Sequence, residues 1–506
     1  MPTGSRGRLG LALLILLVRL PTFAEPRWFS DEGIFTAVAM GIARGMPLYA
    51  RVYDNSPPGI YWFFRVLLAL GARHRHLVVE LAAAAAVVAV ALLVLEVARR
   101  VAPLWPAALA AALAGLALSL PTLDGDLINV ELLALPFFMA ALALAFSSRR
   151  WAVAGAGALL GLALVTRPSF ALDGLALLVP LLGRERGWSR LALAGSGLAV
   201  TLAAIGAGLW WEGSWTAYTR SVVPADHAYV LWANGGRAGP LYLRLALLGA
   251  LGALGFWRSR TPAGRLLAIW LPAGLAGATI TPREFAHYVQ EAIPPLSLAA
   301  ALLAARIRWR WAAAPAALAG VLLAAQAALA LPARQTAMME SGRAGPPRYN
   351  FSFRRLPAYY GNWLGYTLGA RSRASYVGWF PAPTARRNAE AALLRRLARG
   401  SPRPTLLVLG DVPWLYVMSG LTPATPYVAI NSAFAMVPSG RRHLRAQLRS
   451  GRPGLVVMTG NPGWWAAALR SGGYREVSRR PWPTYVAPPQ AVARSGTDRR
   501  DGKQGI

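Results

Sequence analysis

Two polar segments stand early in an apolar chain: Ser30-Asp31-Glu32-Gly33 and Tyr53-Asp54-Asn55-Ser56-Pro57-Pro58-Gly59. Carboxylates are expensive near lipid, so those kept there mark candidate function. Asp31 falls at the first turn of a helix expected over 32–45, where the macrodipole and free N–H groups favour an ionised carboxylate. Partly shielded from water, such a group is suited to accept a proton from a hydroxyl. Plain capping is the competing interpretation. A second loop adds Asp124, Asp126, Asn129 and Glu131, which a helix bundle could bring opposite Asp31 as a two-loop acidic site. Taken alone, that loop reads as a solvated turn with a capping Asn or Asp. No metal-ligand spacing marks it, so the sequence requires no cofactor and leaves a divalent cation open.

Cations for a phosphate come later in the chain. Pro282-Arg283-Glu284-Phe285-Ala286-His287-Tyr288 lies at the end of a late apolar segment. Arg283 and His287 there could bind a lipid phosphate and offset charge on a leaving group. Arg167-Pro168, at a turn expected on the same side, is a second candidate of this kind. A snorkelling Arg and a packed His are the structural alternatives. Glu212, Asp226, His227 and Arg237 share a long loop and carry no assigned role.

These residues need a scaffold, and the composition indicates a membrane one. The chain has 506 residues, 55% hydrophobic and 15% charged, too apolar for an ordinary soluble protein. Apolar stretches of roughly 17–25 residues recur over the first two-thirds, long enough to span ~30 Å of hydrocarbon. Cysteine is absent, which excludes disulfide and thiol chemistry. Lys503 is the only lysine, so the net charge of +32 is almost entirely arginine. Its placement argues against nucleic acid. Arg6/Arg8, Arg99/Arg100, Arg149/Arg150, Arg184/Arg186/Arg190, Arg258/Arg260/Arg265 and Arg306/Arg308/Arg310 sit between apolar segments and alternate with the more acidic loops. That is the positive-inside pattern, and it predicts a cytoplasmic N-terminus.

The predicted spans are 9–24, 77–98, 103–120, 131–147, 151–166, 169–183, 190–211, 241–257, 265–281, 285–305 and 311–331. The fold class is therefore mainly α: a polytopic bundle of about eleven transmembrane helices with its N-terminus inside. The first span has a rival interpretation as a cleavable signal peptide. An uncleaved helix is preferred, because cleavage would leave Asp31 near a free terminus. Within the first outer loop, residues 32–45 predict an amphipathic interfacial helix with Ile34, Phe35, Val38, Ala39 and Ile42 on one face and Ser30 as N-cap. Residues 60–68 predict a second interfacial or re-entrant helix.

Composition shifts near Pro332. Thr405–Leu409 and Leu455–Thr459 read as buried strands, each followed by a helix (413–420 and 463–471), with further strands at Tyr474–Val477 and Thr484–Val486. Residues 332–400 carry no clear assignment. This pattern predicts a small C-terminal α/β domain outside the membrane over 332–487, after a membrane domain over 1–331. A disordered tail over 488–506 follows. Residues 332–506 hold 26 basic and 6 acidic side chains, a net of +20, which suits anionic head groups or an anionic polymer.

In order along the chain, these pieces resemble the C-type (GT-C) glycosyltransferase superfamily. The nearest branch is that of dolichyl-phosphate-mannose protein mannosyltransferases and aminoarabinose lipid A transferases. The matching residues are Asp31-Glu32, Gly45-Met46-Pro47-Leu48-Tyr49, Asp54-Asn55-Ser56-Pro57-Pro58-Gly59, Asn129-Val130-Glu131, His287-Tyr288 with Pro294-Pro295, Gly410–Tyr416 and Pro423–Tyr427. One departure stands out: many relatives have Lys where this chain has Ser56, which shifts phosphate binding to Arg283, Arg167 or Arg51. The resemblance implies transfer of a sugar, with inversion, from a polyprenyl-phosphate donor to a glycan, lipid or protein acceptor on the outer face of a cell (inner or plasma) membrane. It implies Asp31 as general base. Glu32 with Asp126, Asn129 and Glu131 would orient acceptor or donor, or hold an optional cation. Arg283, His287, Tyr288 and Arg167 would meet the donor phosphate, and Asp54, Pro57 and Pro58 would form the donor loop. Two other readings stay open: a flippase for a lipid-linked saccharide, and a non-catalytic envelope scaffold.

Overall fold

Apolar runs rich in leucine and alanine fold as helices at every predicted span. The computed structural model describes residues 4–281, 285–307, 310–339, 356–380, 383–399, 404–410, 412–430, 440–460 and 465–488. The first helices are α1 (Ser5–Val18), α2 (Ser30–Ala43), α3 (Pro58–Ala69), α4 (Leu77–Val101), α5 (Leu104–Ala117), α6 (Val130–Ala145) and α7 (Arg150–Leu164). Among the described residues, α4, Gly187–Trp211 and Ala238–Arg258 are long and apolar enough to cross a membrane. Helices α1, α5 and Ile293–Ala304 are shorter than predicted because irregular backbone takes their ends. A 3-10 turn at Pro121–Leu123 follows α5, and another at Ala286–Ala292 precedes Ile293–Ala304. Such turns re-aim the chain where a regular helix would carry it past the site.

The first loop departs from its expected form. Helix α2 starts at Ser30 itself, with Phe29 as N-cap and no side-chain cap. Asp31 and Glu32 both lie in its first turn. Every residue from Glu32 to Ile42 is buried, so α2 has no wet face. A helix apolar all round is a buried helix. Its cover comes from α3 on one side and from the Trp414–Ser419 helix on another. Helix α3 keeps the one-sided form expected of it: Ile60, Tyr61, Phe64 and Leu67 are buried while Val66 and Leu70 are exposed.

Five strands form the C-terminal sheet: β1 (Thr405–Leu409), β2 (Thr422–Pro423), β3 (Leu455–Met458), β4 (Arg475–Ser478) and β5 (Thr484–Val486), in the order β2-β1-β3-β5-β4. Strands β1 and β3 run parallel in the register Leu406–Leu455 to Leu409–Met458. Strand β5 is antiparallel to β3 and β4. The parallel pair is buried throughout β3 and most of β1, as continuous apolar strands should be. Helices Leu356–Thr367, Arg373–Gly378 and Pro383–Ala398 occupy the stretch that the sequence left unassigned. The predicted tail lies, from residue 489, outside the described residues.

This C-terminal part grips the first loop. The Trp414 indole N–H donates to the Phe29 carbonyl at 2.6 Å, and the Tyr53 amide donates to the Pro426 carbonyl at 2.7 Å. Arg44 donates to the Gly420 carbonyl at 2.7 Å, while Arg387 donates to the carbonyls of Arg27 (2.5 Å) and Trp28 (3.1 Å). Gly33 makes the closest contact. A Cβ there would stand 2.9 Å from the Trp414 ring and 3.0 Å from its backbone nitrogen. A larger residue would push Trp414 off the turn that carries Asp31.

Candidate active site

Asp31 is half-buried at the start of α2, and its charge acts on His287. His287 sits in the 3-10 turn at Ala286–Ala292, edge-on to Phe29 and stacked on Phe285. Its ring is fixed from behind: Nδ1 lies 2.9 Å from Asp124 Oδ2, and the His287 backbone N–H donates to the same oxygen at 3.2 Å. A carboxylate on Nδ1 leaves Nε2 as the nitrogen that can meet a substrate. Asp124 reaches this position from a left-handed backbone (φ 51°), a conformation Asp tolerates better than most residues. Gln290 secures the turn by donating to the carbonyls of Leu123 and Asp124 at 2.8 and 3.1 Å.

Beside this pair is an arginine held for use. Arg167 Nη1 lies 3.0 Å from Glu131 Oε1, and Arg167 Nε donates to Ser169 Oγ at 3.0 Å. Ser169 in turn donates to Glu291 Oε2 at 2.8 Å. The guanidinium stands 4.8 Å over the Tyr288 ring, whose hydroxyl pairs with that of Tyr229 at 2.9 Å. Arg167 Nη2 is buried with no hydrogen-bond partner. A planar guanidinium braced on three sides with a donor to spare is suited to a phosphate oxygen.

The Asp54–Gly59 loop packs against the same turn. Gly59 N–H donates to the Val165 carbonyl at 2.9 Å, and a Cβ on Gly59 would come within 2.8 Å of that oxygen. Asp54 holds the loop's shape: its Oδ2 accepts from Tyr61 OH at 2.5 Å and from the Ser56 amide at 3.5 Å. Burial raises the Asp54 pKa, and these hydrogen bonds oppose the rise. Pro57 is the N-cap of α3 and Pro58 its first residue, a use that costs no hydrogen bond. Asp226, on the Val223–Ala233 helix, meets the Asn55 side chain and the Arg167 charge, and burial pushes its pKa up to about 7.

The expected acidic groups therefore divide. Glu131 joins Arg167. Asn129 is an N-cap, its Oδ1 accepting from the Leu132 amide at 2.8 Å. Asp126 is buried on the side of Glu25, whose charge acts on it. Burial, Glu25 and Asp124 together raise the Asp126 pKa well above the usual range. Glu32 is fully buried and meets none of the Arg167 group: Oε1 accepts from the Ile128 amide at 3.1 Å, and Oε2 lies 3.1 Å from His76 Nε2. Arg283 lies outside the described residues. Asp124 was named among the second-loop acids without a role of its own. Glu291, Ser169 and Tyr229 carry no local sequence signal, while His76 stands four residues before Glu80 on α4.

No protein-family model matches the chain, and no curated protein matches it. Solved structures do. ArnT from Cupriavidus metallidurans in the apo state matches with a TM-score of 0.56 and 18% identity, over 94% of this chain and 97% of that one. The Archaeoglobus fulgidus oligosaccharyltransferase with Zn and sulfate gives a TM-score of 0.44 at 14% identity, over 95% of this chain and 73% of that one. Archaeal oligosaccharyltransferase AglB from the same organism, with an inhibitory peptide and a dolichol-phosphate, gives 0.41 at 12%, over 96% and 74%. At 18% identity the likeness to ArnT concerns the fold, which this protein shares over nearly the full length of both chains.

Proposed function

We propose that the protein is a membrane glycosyltransferase that moves a sugar from a polyprenyl-phosphate donor to an acceptor hydroxyl, with Asp31 as general base. One observation carries this reading. Asp31, His287 on Asp124, and Arg167 on Glu131 come together from α2, the second loop, the Arg167 turn and the 3-10 turn at Ala286–Ala292. An acid with two braced cations is what an in-line displacement from a sugar phosphate needs. The acceptor O–H gives its proton to Asp31 as its oxygen attacks the anomeric carbon. The bond from that carbon to the phosphate oxygen breaks on the opposite face, which inverts the centre. The departing phosphate gains one negative charge, met by Arg167 Nη2 and His287 Nε2.

Glu32 has a supporting role in this reading. It ties the first turn of α2 to Ile128 and His76 and leaves proton transfer to Asp31. The arginine pattern supports a cell-membrane location with the Asp31 mouth and C-terminal sheet on the extracytoplasmic side. The test is transfer of radiolabelled sugar from polyprenyl-phosphate donors to total membrane acceptors, in membranes lacking the native protein. Label that appears with wild type and disappears with Asp31→Asn supports the transferase. Equal label from both would remove Asp31 as the base.

A further inference from the structure

We propose that Glu32, His76 and Glu80 form a divalent-cation site of the zinc type, joining the first turn of α2 to the first turn of α4. Their donor atoms all lie within 4.8 Å of one another. His76 is the N-cap of α4 and Glu80 lies in its first turn, so the i,i+4 spacing sets both on one face. His76 Nε2 is 3.1 Å from Glu32 Oε2, and His76 Nδ1 is 3.5 Å from Glu80 Oε1. Burial is nearly complete: Glu32 is 0% exposed and Glu80 1%.

The second observation is what this cluster lacks. Neither carboxylate oxygen of Glu80 has a hydrogen-bond partner, nor does His76 Nδ1. Buried acceptors in native proteins are nearly always satisfied, and an unsatisfied carboxylate bears a large desolvation cost. The surrounding charge points the same way. Glu80 feels Glu32, Glu25 and Asp126, with Arg19 as the opposing cation. Arg19 spends its guanidinium on the carbonyls of Gly125 and Asp126, and Arg27 spends its own on those of Ala72 and Arg73. Acids outnumber guanidinium groups around Glu80, and a cation held between Glu32 and Glu80 offsets that excess. A protonated His76 supplies only one positive charge and still leaves Glu80 Oε2 without a partner. One imidazole and two carboxylates form a mixed nitrogen–oxygen set that suits zinc; magnesium prefers oxygen alone.

Such an ion would pin the turn bearing Asp31 while using Glu32 as ligand. The inference does not rest on the transferase reading, because zinc uptake is measured without donor or acceptor. The experiment uses the full chain in detergent micelles, stripped with a chelator and then titrated with Zn2+ by calorimetry, with thermal unfolding followed in parallel. Expected are one Zn2+ per chain, a higher unfolding midpoint with Zn2+, and binding at least tenfold weaker in Glu80→Gln and His76→Gln. Mg2+ should give no comparable heat. Absence of one-equivalent Zn2+ uptake by wild type overturns the site without recourse to any variant. Uptake that survives both substitutions unchanged in folded protein also overturns it, because the metal then sits elsewhere.

Discussion

Asp31 and Glu32 are neighbours in sequence, yet they serve two clusters built on opposite principles. On Asp31's side, acids and cations alternate: Asp124 with His287, and Glu131 with Arg167. On Glu32's side, acids accumulate: Glu25, Glu80 and Asp126 share a neighbourhood with Arg19. Successive helical residues point about 100° apart, so one turn of α2 can feed both. Paired charges hold groups ready at fixed positions and protonation states. Accumulated charges hold protons or a cation and lock backbone in place. The comparison teaches that the first cluster should govern rate and the second stability.

Asp31→Asn should separate the two most sharply. Transfer should fall by ~10²–10⁴-fold, the usual worth of a positioned base, with the unfolding midpoint near that of wild type. A variant that transfers normally breaks the assignment. Arg167→Ala comes next, with kcat down by ~10²–10³-fold through loss of leaving-group stabilisation. Arg167→Lys should restore little, because a point charge cannot replace the braced fork. Gly59→Ala probes how closely the Asp54–Gly59 loop must approach the Arg167 turn. Overpacking against the Val165 carbonyl should cost ~1–3 kcal/mol, read by thermal unfolding. Unchanged stability would mean that α3 can shift freely.

The smallest effect belongs to Glu25. Burial lifts its pKa from 4.5 to about 7, against hydrogen bonds from Tyr359 and Trp28. Between those values the folded chain keeps a proton that the unfolded chain has released. Its stabilisation is therefore complete below pH 4.5 and lost as pH rises through 7. With chelator present, the unfolding midpoint should fall from pH 5 to 8, and less steeply in Glu25→Gln. Parallel slopes would show that the proton resides on another acid of that cluster.

The helices were legible because apolar runs need no partner information to identify them. Strands β1 and β3 were legible for the same reason, as short continuous apolar runs. Strand β2 was not: two residues, one of them Pro423, carry no pattern. Helix α2 was placed correctly but read as half-wet, because its second cover, the Trp414–Ser419 helix, comes from far along the chain. At the candidate site, the first-turn position expected of Asp31 is the one it occupies. The Asp124–His287 pair could not be found from sequence, since it joins residues 163 apart through a left-handed turn. Asn129 caps α6 through Oδ1 and keeps a buried Nδ2 without a partner. His76 and Glu80 were hidden by the apolar run that continues from them.

The hydrogen bond from Trp414 to the Phe29 carbonyl spans 385 residues. The turn presenting Asp31 thus receives support from chain made long after it. A ribosome-bound intermediate would already hold the helices, the Arg167 turn and Asp31, yet hold Asp31 loosely. Activity should arrive late and abruptly as the nascent chain lengthens past residue 414.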